Sequence, residues 1–373
     1  MVGMTIDIPR SADAAREVPS LHPISFIDEA GQVTDAQAPD GLRMPSADML
    51  LKLYRRMVIA RRFEAQVTAL TRQGRLATYP SAAGQEACEI GAVSALKDTD
   101  WLFPTYRDSA ALLTRGIPVS DILAAFRGDW HCGFDPNAHC TAPAATPLAT
   151  QGLHAAGFGM AAKLRGEDTA TLTFMGDGST SEGDAHEAFN FAAVWQTPTV
   201  FFIQNNQYAI SVPLREQTNA TLLADKAIGY GMPGYCVDGN DVAAVYAVVT
   251  AAIDRARAGD GPTLIEGLTY RVEAHTNSDD PTRYRDGAEV EIWKRRDPIA
   301  RLEAYLRSVG ALDDGSVEAI AADAEEFASE VRDAMNTEAE RNPLEIFDHV
   351  YAHERPALAE QRALLAAELE EVS

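Results

Sequence analysis

The sequence is poor in cysteine: four residues (Cys88, Cys132, Cys140 and Cys236) are scattered over 373. That number and spacing exclude a disulfide-stapled scaffold and point to a reducing, cytoplasmic setting. Long apolar runs are also missing. No stretch approaches the roughly 18 consecutive apolar residues of a membrane span. The N-terminus has no unbroken apolar stretch, and Asp7, Asp13 and Glu17 interrupt any Arg-rich pattern. Neither a secretory signal nor a transit peptide is expected. Positive charge is in deficit, with 32 Lys+Arg against 55 Asp+Glu and a net charge of −23. A field of that sign repels phosphate backbones and anionic lipid, which argues against nucleic-acid binding and membrane attachment. The plain reading of the excess acid is solubility; attraction of a basic partner surface comes second. Internal repeats and low-complexity tracts are missing too.

What remains is an ordinary globular composition, 46% apolar and 23% charged, long enough for two or three domains or one large α/β domain. Residues 1–45, rich in Pro, Asp, Ala and Gly, read as a surface-draped or flexible N-terminal extension. Ser46 then caps a long helix. Leu50, Tyr54, Met57, Arg61 and Ala65 recur on one side of it, and Gly74 stops it. Residues 84–96 predict a second helix of small residues. From about residue 147 helices and strands alternate: helix 152–164, strand 171–175, helix 181–195, strand 199–203, helix 242–258 and strand 263–266. That order predicts an α/β fold, a parallel sheet with helices on both faces, over residues 46–288. Residues 289–373 predict a helical C-terminal segment, broken at Pro298 and at Asn342-Pro343.

The sharpest signal is Gly176-Asp177-Gly178 at the end of one strand, with Asn205-Asn206 at the end of the next. The 26 residues between Gly178 and Asn205 hold one helix and one strand, so both motifs reach the same edge of a parallel sheet. Ligands of open α/β sheets bind at that edge. Asp177 offers a carboxylate oxygen, Asn206 an amide oxygen, and the main chain near Tyr208 a carbonyl. Magnesium prefers such oxygens and shares them with substrate phosphates. Gly176 and Gly178 allow close backbone approach, and a helix opening near 179–181 presents free N–H groups. Together these predict a Mg²⁺–diphosphate clamp. A lone Gly-Asp-Gly is usually only a tight turn; the pairing with Asn-Asn at this spacing separates the two readings. A nicotinamide fingerprint fits less well, because Ser181 occupies its third glycine position.

The run GDGSTSEGDAHEAFNFAAVWQTPTVFFIQNNQYAIS resembles the thiamine-diphosphate motif of the 2-oxo acid dehydrogenase complexes. More narrowly, it resembles the alpha subunit of their decarboxylating first component. WLFPTYRD, TPLATQ, VDGND and GPTLIEGLTYRVEAHTNSDDPTRYR extend the similarity from about Met57 to Tyr305. SEGD and DDPTRYR favour the branched-chain (2-oxoisovalerate) type, from branched-chain amino acid catabolism, over the pyruvate or acetoin type. The resemblance implies a thiamine-diphosphate-binding fold and oxidative decarboxylation of a small 2-oxo acid, with the acyl group passing to a lipoyl group.

By the same resemblance Asp177, Asn206 and the main chain of Tyr208 match the Mg²⁺ ligands. Tyr106 and Arg107 match the pair that reaches the diphosphate. Thr146, Leu148, Gly176, Gly178 and Ser179 match further cofactor contacts, with Leu148 beneath the bent cofactor. His275 matches the catalytic histidine, which also faces the cofactor. The chain departs from the pattern at Thr105, often Gln in relatives, and at Glu273-Ala274. Asp286 stands where mitochondrial relatives carry a phosphorylatable Ser, so kinase control there is not expected. Residues 130–145 differ as well. The carboxylate that protonates the cofactor's pyrimidine is expected from a beta subunit in an α2β2 heterotetramer, and the lipoyl group from a lipoyl domain of the acyltransferase component. His131, Cys132, His139 and Cys140 are adjacent pairs, unlike the spaced ligands of a zinc knuckle. Cys88 and Cys236 read as buried small apolar residues.

Overall fold

The structure, a computed structural model, describes residues 19–34, 41–128, 132–337, 342–348 and 350–372. Five strands, β1 (Trp101–Phe103), β2 (Thr171–Gly176), β3 (Thr199–Asn205), β6 (Gly234–Asp238) and β7 (Thr263–Leu268), form one parallel sheet in the order β1-β2-β3-β7-β6. A small antiparallel hairpin, β4 (Tyr208–Ala209) and β5 (Val212–Pro213), follows β3. Every residue of β3 is buried, as expected of a central strand covered on both faces.

The strand order assigns the helices to faces. Steps β1→β2→β3 run one way across the sheet, and β6→β7 runs back. Right-handed crossovers therefore put their helices on opposite sides. Helices Thr150–Arg165 and Gly183–Trp195 pack on each other on one face. Helix Val242–Arg257 packs on helix Glu86–Val93 on the other face, which helix Ala47–Arg72 extends. Small residues make this layer close: a Cβ on Gly152 would stand 3.4 Å from Ala188 Cβ of the neighbouring helix, and one on Gly159 2.8 Å from the Thr199 hydroxyl of β3. The larger core lies on the second face, where Leu50, Met57, Phe63, Val245 and Val249 are fully buried.

Ser46 does cap the long helix, its Oγ accepting from Met49 N–H at 3.3 Å, and Gly74 adopts φ +74° just beyond its end. Helix Asp314–Asn336 lies along it. Its buried residues Ile320, Ala324, Ala328, Val331 and Met335 recur every three or four positions, forming one stripe.

Two features differ from the sequence reading. Strands β1 and β6 were not foreseen. They are short edge strands with only partly apolar sequences, WLF and GYCVD. Part of the supposed flexible extension is packed: Ile24 bridges Val237 of β6, and Ile27 is buried. The Asp241 carboxylate accepts from the backbone N–H of Phe26 (2.6 Å) and Ile27 (2.8 Å). These bonds and the buried apolar side chains hold residues 19–34 along the edge strand, corresponding to the protection an unpaired edge needs. Residues 1–18 and 35–40 of the extension lie outside the described residues.

Candidate functional site

A cleft of about 720 Å³ opens at the carboxyl ends of the strands. Tyr106, Arg107, Thr146, Leu148, Gly176, Asp177, Gly178, Ser179, Asn206, Tyr208 and His275 all line it. The topology explains the convergence. β2 delivers 176–179 and β3 delivers 206–208. The turn after β1 delivers 106–107, and the segment beyond β7 delivers 275. In a parallel sheet all these tips point the same way.

At the junction of β2 and β3, polar atoms face one another. One terminal atom of the Asn206 amide stands 3.3 Å from Asp177 Oδ1 and 3.1 Å from the Tyr208 carbonyl oxygen; it is the oxygen in one orientation of the amide and the nitrogen in the other. In the first orientation the amide nitrogen donates to Gln85 Oε1 at 2.8 Å. Asp177 is almost fully buried and its other oxygen accepts from Gln217 Nε2 at 2.9 Å. Burial pushes the Asp177 carboxyl up to about 6, against the lowering effect of Gln217. Among the described residues, no group of three His, Cys, Asp or Glu side chains gathers as a metal set; this one has a single carboxylate. That also holds for Cys132, His139 and Cys140, while His131 lies outside the described residues.

Arg107 is buried beside this group. Its guanidinium donates to the Ser81 carbonyl (2.8 Å) and the His275 carbonyl (3.1 Å), and lies 3.1 Å from His275 Nδ1. A guanidinium has no lone pair with which to accept, so Nδ1 is the acceptor and the ring proton belongs on Nε2. Burial, then the charges of Arg107 and Arg271, push His275 down to about 4, despite Asp279. The imidazole is therefore neutral at pH 7. Tyr106 packs edge-on to that ring at 6.2 Å.

Glycine is required at one position of the turn and leaves open space at another. A Cβ on Gly178 would stand 2.6 Å from Ala209 Cβ, so the hairpin can close against the turn only with glycine there. A Cβ on Gly176 would meet nothing within 4 Å and would project into open cleft. Leu148, an apolar residue, is 40% exposed on the cleft wall, next to Ala149 at φ 66°. A non-glycine residue held in that region marks local strain of a kind found at binding sites. The free N–H groups expected from a helix at 179–181 belong instead to a 3₁₀ turn, Gly178–Ser181. The α-helix begins only at Gly183, after extended Glu182.

Three residues were not foreseen. Gln85 orients the Asn206 amide. Gln217 holds Asp177. Arg271 is buried and donates to the carbonyls of Tyr208 (3.2 Å) and Ile210 (2.6 Å). Arg271 did leave a faint trace, alternating with Glu273 and His275 just after a strand.

The fold and the comparisons define an α/β enzyme with a cleft at its strand tips. The sequence pattern of the family described as Dehydrogenase E1 component matches residues 54–346, and the chain belongs to that family, which depends in general on thiamine diphosphate. It is 51% identical over 317 residues to 3-methyl-2-oxobutanoate dehydrogenase subunit alpha of Mycobacterium tuberculosis, covering 85% of this chain and 86% of the relative. It is 39% identical to pyruvate dehydrogenase E1 component subunit alpha of Acholeplasma laidlawii (84% and 92% covered) and 37% identical to that of Staphylococcus aureus (91% of each).

Proposed function

We propose that this chain is the alpha subunit of a branched-chain 2-oxo acid dehydrogenase. It would bind thiamine diphosphate and Mg²⁺ in the cleft and act on 3-methyl-2-oxobutanoate (2-oxoisovalerate). The relative with that substrate in its name, 51% identical, supports the choice over pyruvate. The observation that carries the cofactor reading is the set of facing groups on Asp177, Asn206 and Tyr208. A carboxylate, a side-chain amide and a main-chain carbonyl that converge on one point can share a cation. Oxygens about 2.1 Å from a shared octahedral cation stand about 3 Å apart, close to the spacings here. Without a cation the Asn206 amide is also satisfied turned over, its nitrogen donating to Asp177 Oδ1 and the Tyr208 carbonyl; a bound cation would select the orientation with the oxygen inward. The rest of the cleft fits the same ligand. Arg107 offers a charged fork, Gly176 leaves room for phosphate against the backbone, and Leu148 offers an apolar support.

When bound, thiamine diphosphate supplies a nucleophilic ring carbon and an electron sink for loss of carbon dioxide from the 2-oxo acid. The residues of the chain serve this chemistry by placement. Asp177, Asn206 and the Tyr208 carbonyl would hold the cation, and Arg107, Tyr106, Thr146 and the 176–179 turn the diphosphate. Such fixation removes much of the entropic barrier. His275, with its proton on Nε2, is a neutral donor for the substrate's oxygen or the incoming lipoyl group. A beta subunit completes the α2β2 enzyme and supplies the remaining carboxylate. A lipoyl domain accepts the acyl group. The setting is the cytoplasm; among the described residues no helix is long and apolar enough to cross a membrane.

Two measurements test this. Calorimetry should show Mg²⁺-dependent thiamine diphosphate binding by the assembled enzyme that Asp177→Ala abolishes; unchanged binding would refute the clamp. A panel of 3-methyl-2-oxobutanoate, pyruvate and acetoin, assayed with the beta subunit, should give the highest kcat/KM for the first. Preference for pyruvate would shift the assignment to a pyruvate dehydrogenase.

A further inference from the structure

We propose that a second cavity, between the Ala47–Arg72 helix and the loop after the Glu86–Val93 helix, binds a phosphate-type anion. It encloses about 320 Å³, and Arg56, Ser94, Asp98, Arg115 and His139 line it. The inference does not depend on the cofactor reading, since no residue of this cavity belongs to the cleft.

The argument starts from charge. In a chain with 55 acidic residues, arginines readily find carboxylates. On the same helix Arg55 pairs with Asp323, Arg61 with Glu86 and Asp297, and Arg62 with Glu325. Arg56 and Arg115 do not: among the described residues neither reaches a carboxylate within ion-pair distance. Arg56 Nη1 donates to Ser94 Oγ at 2.8 Å. Ser94 Oγ, as acceptor, keeps its own hydrogen to donate. Arg115 is clamped by backbone carbonyls of Lys97 (3.2 Å), Asp98 (3.4 Å), Asp100 (3.0 Å) and His139 (2.9 Å). These contacts fix the guanidinium without neutralising it. The Asp100 carboxylate is engaged by Arg257. Asp98 is the one carboxylate on the lining, so two cations face one anion. Burial presses both guanidinium groups below the usual arginine value, for Arg115 against the raising influence of the nearby Asp100 and Asp98.

The donor set matches a tetrahedral anion. The Arg56 fork and the Ser94 hydroxyl are groups that bind phosphate oxygens, Arg115 adds a fixed positive charge, and one negative charge offsets the excess of two arginines over the Asp98 carboxylate. The volume is near the lower end of small-molecule pockets, about 300 Å³. It takes free phosphate with water, or a phosphomonoester of a small metabolite. The site also abuts the cleft. The His139 ring meets Phe134 edge-on at 6.0 Å, and Phe134 lines the cleft. The occupant thus touches the 132–140 segment, whose sequence departs from the family pattern.

Calorimetry with inorganic phosphate tests the site, on the full chain carrying Arg107→Gln so that the cleft's own arginine cannot contribute. Saturable binding that chloride at equal ionic strength does not reproduce is expected. Adding Arg56→Gln should weaken it by roughly tenfold or more, and Arg56→Lys should restore part of it. Ser94→Ala, a milder change, should weaken it several-fold and serves if Arg56→Gln does not fold. Glycerol 2-phosphate separates the sources: tighter binding than phosphate assigns the site to a phosphomonoester, equal or weaker binding to free phosphate. No saturable binding, or binding that Arg56→Gln leaves unchanged at unaltered Tm, overturns the proposal.

Discussion

His275 shows how neighbours set a residue's chemistry. An isolated histidine changes charge near neutral pH, but here two guanidinium groups and partial burial keep the ring neutral down to about pH 4. In the unfolded chain its proton is taken up near 6.5. Between about 4 and 6.5 the unfolded state therefore binds the proton and the folded state does not. This group's contribution makes folding stability fall as pH drops through that window, and the loss is absent above 6.5. Arg107→Gln should raise the His275 pKa toward 6.5 and narrow the window; an NMR titration of the ring proton that does not move would contradict the assignment. His275→Ala should leave cofactor affinity nearly intact and cripple acyl transfer to a lipoyl domain. Equal loss of both would count against its role. At this scale the sequence was informative where a motif is contiguous. Asp177 and Asn206 each end a strand within a recognisable run. Gln85, Arg271 and Gln217 were not legible, because their partners lie 121, 63 and 40 positions away, and no local pattern encodes such a pairing.

Among the elements, the start of helix Val242–Arg257 does two jobs. One Asp241 oxygen accepts from the N–H groups of Ala243 and Ala244 as an N-cap; the other accepts from Ser25, Phe26 and Ile27. Capping and docking thus share one carboxylate. Asp241→Ala should cost about 2 kcal/mol in chemical denaturation, more than an average cap. It should also expose residues 19–34 to limited proteolysis; unchanged proteolysis would show that the apolar contacts of Ile24 and Ile27 suffice alone. Helices and central strands were legible because their periodicities persist over many residues. The edge strands β1 and β6 were not, since three to five mixed residues carry too little pattern and take their strand form from the neighbour they pair with.

For the whole molecule, one α/β unit presents a cleft at its strand tips, and helices from both ends of the chain pack together on one face of the sheet. The alpha chain by itself should show negligible decarboxylation activity, and adding the beta subunit should restore it; full activity of the alpha chain alone would overturn the heterotetramer reading.

Composition, periodicity and the two strand-end motifs determined the class of fold, the edge of the sheet that carries the site and the residues at its centre. These are local or short-range properties, set by alternation along the chain and by which side chains can offer oxygen or charge. Only the tertiary structure decided that Asn206 meets Asp177 and Tyr208, that burial beside Arg107 and Arg271 keeps His275 neutral and that residues 19–34 lie against the sheet edge. Each of these depends on groups far apart in the chain meeting at hydrogen-bonding distance, and that is settled by packing.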